Sequence, residues 1–186
     1  MTTPLEVKRD HCAFASRLLA VEIDATLYRR LLATSTLVDP GIAALTEQQA
    51  LEALAAEFCR LFIGPRPACP PYPGSGRGQF LGSHAEQPFV DFLKAHHLTE
   101  SVSEQAPVLA RNHLAIQLQV FAHLCDAERT APEAARRARH ELETEHLNRS
   151  IPEFAQALTA NTGLDPYRTV GESLRALFAD ETTTCR

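Results

Sequence analysis

The sequence predicts an all-α fold, a single-domain helical bundle with one long Pro/Gly-rich loop between its helices. Apolar residues recur at helical spacing in segment after segment, no segment alternates with period two, and proline and glycine crowd into one internal stretch. With 186 residues, 45% of them hydrophobic, the chain can bury one substantial core and is too short for two ordinary domains. Residues 1–186 are therefore read as one domain.

From the N-terminus, helices are predicted over 5–20 and 25–34. The next is the clearest: Leu51, Leu54, Ala55, Phe58, Leu61 and Phe62 form a single apolar stripe behind a Thr46–Gln49 capping box, which gives a helix over 47–62. In 64–83, Pro65, Pro67, Pro70, Pro71, Pro73, Gly74, Gly76, Gly78 and Gly82 cannot occupy a helix interior without cost, so this stretch is a loop, flexible or a hinge. A helix over 87–97 follows. The segment 106–125 carries Leu114, Leu118, Phe121 and Cys125 on one stripe with Ile116 and Val120 beside it, so more than half its circumference is apolar, as a central helix requires. A helix is predicted over 132–147 and another over 152–161, the latter behind a Ser150-x-x-Glu153 capping box and stopped by Gly163. The C-terminal helix has Tyr167, Val170, Leu174, Leu177 and Phe178 in phase, with Asp165 as its cap and Pro166 in the first helical position.

Composition excludes several functions. A formal charge of -5, with no basic run beyond Arg136-Arg137, leaves no electrostatic footprint for nucleic acid and favours a basic partner. Five scattered cysteines without a Cys-x-x-Cys spacing argue for reduced, mostly buried thiols and against a disulfide framework or structural zinc. There is no long apolar run and no basic-then-apolar start, so a cytoplasmic protein without membrane insertion is expected. His96-His97 and His113 with His123 lack metal-ligand spacing, and Gly74-x-Gly76-x-Gly78 lacks the Lys-Ser/Thr of a phosphate loop, so no metal or cofactor is expected. Cys59 and Cys69 sit in no nucleophile motif, and the chain is read as not an enzyme. Arg136, Arg137 and Arg139 with Glu133, Glu141 and Glu143 read as a solvated helix face.

Four segments carry more specific information: Glu57-Phe58-Cys59-Arg60-Leu61-Phe62-Ile63-Gly64-Pro65, Pro70-Pro71-Tyr72-Pro73-Gly74-Ser75, Asn112-His113-Leu114-Ala115-Ile116-Gln117-Leu118, and His146-Leu147 followed by Pro152-x-Phe154. In this order they resemble the motifs of the TorD/DmsD/NarJ family of molybdoenzyme maturation chaperones, over nearly the whole chain. The resemblance implies an all-helical chaperone that binds the twin-arginine signal peptide, or another part of the apo form, of a molybdenum-cofactor oxidoreductase before export. The alternative is a helical adaptor that stays bound to its protein partner. Either could be a monomer or a helix-exchanged dimer, with 64–83 as the hinge.

A receptor for a basic, then apolar, peptide needs an apolar groove with acceptors near one end. The candidate peptide-binding residues are Pro70, Pro71, Tyr72 and Ser75 in the loop, Asn112, His113 and Gln117 on the central helix, and the carboxylates Glu57, Glu86 and Asp91. This chain has Asn112 where the family has aspartate, and no tryptophan where the family often has one, in the loop and in the His146–Phe154 turn.

Overall fold

The computed structural model describes residues 3–34, 38–73, 87–99 and 109–178. Among these residues every regular element is helical. Helix α1 (Pro4–Ala20) starts in a capping box: Thr3 Oγ1 accepts from Glu6 N at 3.2 Å, while the Glu6 carboxylate accepts from Thr3 N at 2.7 Å. Asp24 caps α2 (Ala25–Ala33) by accepting from Leu27 N at 2.8 Å. A short Asp39-capped α3 (Pro40–Ala43), not predicted, precedes α4 (Glu47–Phe58), which opens in the expected Thr46–Gln49 box. The Phe58 and Phe62 rings meet edge to face at 5.3 Å, and Phe62 meets Tyr167 likewise at 5.6 Å.

Beyond Phe58 the helix widens into a π-segment (Cys59–Ile63) ending at Gly64, whose N–H donates to Cys59 O at 2.7 Å. Gly64 fits because a Cβ there would stand 3.0 Å from that carbonyl oxygen. The following loop folds back: Ala68 N and Cys69 N donate to Arg60 O and Leu61 O at 3.0 and 2.8 Å, which satisfies carbonyls the helix end leaves open. Residues 64–73 are thus non-helical and pinned to the π-segment; the remainder of the 64–83 loop lies outside the described residues.

Helix α5 (Gln87–Ala95) buries Phe89, Phe92 and Leu93. It stops two residues short of the predicted end because His97 turns left-handed, with φ of 56°. The central helix α6 (Leu114–Ala127) is buried around most of its circumference and packs against α1 and α7 (Pro132–Leu142). It begins at Leu114, not at residue 106: His113 is its cap, and residues 109–112 form a turn.

Two further expected boundaries were wrong. The predicted turn around His146-Leu147 is a second π-segment (Glu143–Leu147), which joins α7 to α8 (Asn148–Asn161) without a break. Ser150 is no cap, since its hydroxyl donates to His146 O at 2.8 Å, and Pro152 sits inside the helix one turn past the register change. At α9 (Asp165–Leu177) the cap position is Leu164, and Asp165 is the first helical residue, where it favours the positive helix end without capping it. Helices α8 and α9 pack closely at Gly171, where a Cβ would lie 2.8 Å from Thr159 Cγ2 and 3.2 Å from Ala155 O.

The arginine-rich face of α7 is also less solvated than predicted. Arg136 and Arg137 are exposed, but the Arg139 side chain is only 16% exposed and bridges Glu128 and Glu143. Glu143 in turn pairs with Lys8, whose ammonium lies 4.1 Å from the centre of the Phe178 ring. These charges tie α1, α6 and α7 together over the core.

Candidate functional site

Where the pinned loop meets the start of α6, chain geometry builds a wedge. Pro70 and Pro71 fix the backbone angles, Tyr72 N closes a tight turn onto Pro70 O at 2.8 Å, and Leu114 N donates to Pro71 O at 2.8 Å. Pro71 thereby caps the first open N–H of α6 from a distant part of the chain. Tyr72, half-buried, meets His113 edge to face at a ring separation of 4.9 Å.

His113 serves as the cap through its side chain, Nδ1 accepting from Ala115 N at 3.0 Å. That bond places the proton of the neutral ring on Nε2. The imidazole is 4% exposed, and burial pulls its pKa down to about 4, so it is uncharged at neutral pH. Gln117, 1% exposed, donates from Nε2 to Asn112 O at 2.8 Å and holds the turn that presents His113. Among the described residues this leaves two buried acceptors, Asn112 Oδ1 and Gln117 Oε1, without a hydrogen-bond partner. Each such atom costs about 1–3 kcal/mol relative to a satisfied one, so the turn holds unmatched hydrogen-bonding capacity.

Glu57 belongs elsewhere. Its carboxylate takes two hydrogen bonds from the Arg60 guanidinium, at 2.7 and 2.9 Å, and one from Thr162 Oγ1 at 2.9 Å. Arg60 foremost, then Thr162, hold its carboxyl below the usual range. This corner ties the first π-segment to the α8–α9 connection and leaves no acceptor over. The i, i+3 spacing of Glu57 and Arg60 is visible in the sequence; Thr162, 105 residues away, is not.

Asp91 is exposed on α5, accepting from Gln87 Nε2 at 2.7 Å, and lines a separate cleft between α5 and the second π-segment. There His146, half-buried, lies 5.4 Å from both Phe89 and Phe92, and burial lowers its pKa. His96 reaches Glu141 at 2.9 Å across the same cleft. Sequence reasoning missed His146, Phe92 and Glu141 as neighbours of Asp91, since only packing brings α5 onto this segment. Ser75 and Glu86 lie outside the described residues.

The structure therefore brings together Pro70, Pro71, Tyr72, Asn112, His113 and Gln117, and it sets Glu57 and Asp91 apart from them. Cys69 is buried, which pushes its thiol up to about 11 and makes it a poor nucleophile. Among the described residues, no group of three or more His, Cys, Asp or Glu is arranged to hold a metal ion, and no helix is long and apolar enough to cross a membrane.

The model of the nitrate reductase delta subunit family matches residues 12–159. The chain belongs to that family. No curated protein and no solved structure matches the chain. The nitrate reductase delta family consists of molybdoenzyme maturation chaperones, not of catalysts. The match runs from Cys12 in α1 to Thr159 in α8, so it takes in the wedge, the Asp91 cleft and both π-segments, while α9 lies beyond it.

Proposed function

We propose that this member of the delta family binds the apo form of a molybdenum-cofactor oxidoreductase through a segment of its catalytic subunit, such as a twin-arginine signal peptide, and holds it until the cofactor is inserted. The observation that carries the reading is the wedge. An aromatic side chain stands edge-on to a neutral histidine, beside two buried acceptors that no described residue satisfies. An extended or helical polypeptide supplies both complements: an apolar side chain against Tyr72, and N–H donors for the Asn112 and Gln117 oxygens.

The neutrality of the wedge bears on its specificity. With Asn112 in place of a carboxylate and His113 uncharged, it offers hydrogen bonds and no ion pair, so it selects for shape and donors more than for charge. The test is capture of the catalytic subunit from cells that make it, with and without its signal peptide and with and without molybdenum cofactor. Binding confined to the cofactor-free form supports maturation. Equal binding to the mature enzyme would instead make the protein an adaptor that remains in the complex.

A further inference from the structure

We infer that the outer face of α1, with the groove it forms against α9, docks a second copy of this chain, the two α1 helices running antiparallel about a twofold axis at Phe14. Val7 and Phe14 lie two turns apart on one face of α1, and Val21, its C-cap residue, lies two turns beyond. Val7 and Val21 are 40% and 55% exposed and Phe14 is half-buried, so an apolar stripe runs along the helix. It faces away from α6, toward which Ser16 points with a 2.7 Å bond to Ala115 O. Exposed apolar side chains are ordinary when scattered singly, whereas a row of them marks a contact surface.

The stripe borders a groove of about 310 Å³. Phe178 at the end of α9 meets Lys8 near the start of α1, so the two helices are antiparallel, and between them Phe14, Ala15 and Val170 line an apolar floor. The α9 wall is made by Thr169 and Ser173, whose short side chains leave room for an incoming ring. Most of this lining lies outside the span 12–159 that the family model matches.

The order of charges along the stripe identifies the occupant. Asp10 stands four residues before Phe14, and Arg17 three residues after it. Turned end for end, the same helix presents the opposite order, so the twofold axis sets Asp10 against the partner's Arg17, Val7 against the partner's Val21, and the two Phe14 rings against each other. Both charges have capacity for this. Arg9 bonds Oδ1 of Asp10, at 2.9 and 2.7 Å, and among the described residues no bond reaches Oδ2. Arg17 makes three bonds, to Val21 O, Glu22 O and Asp24, with a guanidinium that carries five N–H groups. With one acid and one base in register, the stripe has no surplus of negative charge to favour a basic client, while a second copy supplies its complement by construction.

The test is sedimentation velocity on the full chain from micromolar to millimolar concentration, where the wild-type mass is expected to double from 20.5 kDa. Val7→Asp/Val21→Asp changes two exposed positions, so it should stay monomeric with the melting temperature of dilute wild type and unchanged affinity for a client peptide. Asp10→Arg sets like charges together and should weaken the dimer about tenfold, the loss shrinking in high salt. Phe14→Cys places two thiols at the axis, and mild oxidation should join them into a covalent dimer that oxidised wild type, with its native cysteines, does not form. A wild type that stays monomeric throughout would overturn the interface. A dimer that survives Val7→Asp/Val21→Asp, or one in which Phe14→Cys does not crosslink, would place the contact on another face, helix exchange included, and overturn it equally. Loss of client-peptide binding in Val7→Asp/Val21→Asp, with wild type monomeric, would give the stripe to the client instead.

Discussion

The Glu57 corner and the Asn112 turn both join distant parts of the chain through polar side chains, yet they balance differently. At the corner, the Glu57 carboxylate is matched by Arg60 and Thr162, so donors and acceptors cancel. At the turn, Gln117 closes one bond to Asn112 and, among the described residues, leaves two buried oxygens over. A closed network of this kind stabilises the fold, while an open one costs stability in the free protein that a ligand can restore. The corner is therefore structural and the turn is where we propose that the client binds, although both lie in segments that resemble family motifs.

The largest effect tests the packing under the corner. Phe58 is 4% exposed and stacks edge-on to Phe62, so Phe58→Ala is expected to cost about 3–5 kcal/mol in chemical denaturation. A cost near zero would show that the corner is not anchored in the core. Next comes pH. His113 is held neutral with its pKa near 4 against an ordinary value of 6.5, so the unfolded chain takes up the extra proton between these values. Stability is fully present above about 6.5, falls as pH drops toward about 4 by up to about 3 kcal/mol, and then levels off for this group. Glu57, with its carboxyl held low, contributes stability that is lost only as pH falls further, through its folded pKa. His113→Gln should flatten the upper part of the curve; an unchanged slope would mean that the ring is not buried neutral.

A smaller effect separates charge from shape at the turn. Asn112→Asp places a carboxylate where the side chain is 5% exposed, so the free protein should lose stability while affinity for an arginine-bearing peptide rises roughly tenfold. That gain should shrink with added salt. Calorimetry showing weaker binding would mean that the Asn112 oxygen does not face the client. The smallest effect concerns a third atom unpaired among the described residues, the Tyr167 hydroxyl, buried against Phe62 near the Glu57 corner. Tyr167→Phe removes an unsatisfied group without leaving a cavity and should leave stability unchanged or raise it by up to about 1 kcal/mol, with no change in client affinity. A substantial cost in denaturation would reveal a hydrogen bond that the geometry does not show.

Much of the fold was legible because its helices are amphipathic in a single phase. Leu54, Phe58, Leu61 and Phe62 are all buried as their stripe requires, and the all-apolar surround of Leu118 and Phe121 placed α6 at the centre. What escaped were departures from the 3.6 period. A π-turn adds one residue without changing composition, so neither π-segment leaves a mark in the pattern, and Pro152 was read as a helix start when it lies inside one. His113 was placed on the helix because Leu114 to Leu118 continue its spacing, whereas its short-range bond to Ala115 N makes it the cap. Arg139 and Glu143 look like surface charges in sequence, and only the arrival of α1 with Lys8 buries them. The Pro71, Tyr72 and His113 grouping was readable from the motifs; the unpaired state of the Asn112 and Gln117 oxygens needed three dimensions.

The most direct test sets the two regions against each other. Tyr72→Ala and Glu57→Ala are compared by calorimetry with a client signal peptide and by thermal melting. Loss of the aromatic anchor should weaken binding by roughly thirtyfold, about 2 kcal/mol, with a melting temperature near wild type. Loss of the corner carboxylate should lower stability by about 1–2 kcal/mol and leave affinity unchanged. The reverse pattern, with Glu57→Ala abolishing binding and Tyr72→Ala binding as wild type does, would contradict the assignment of the wedge as the site.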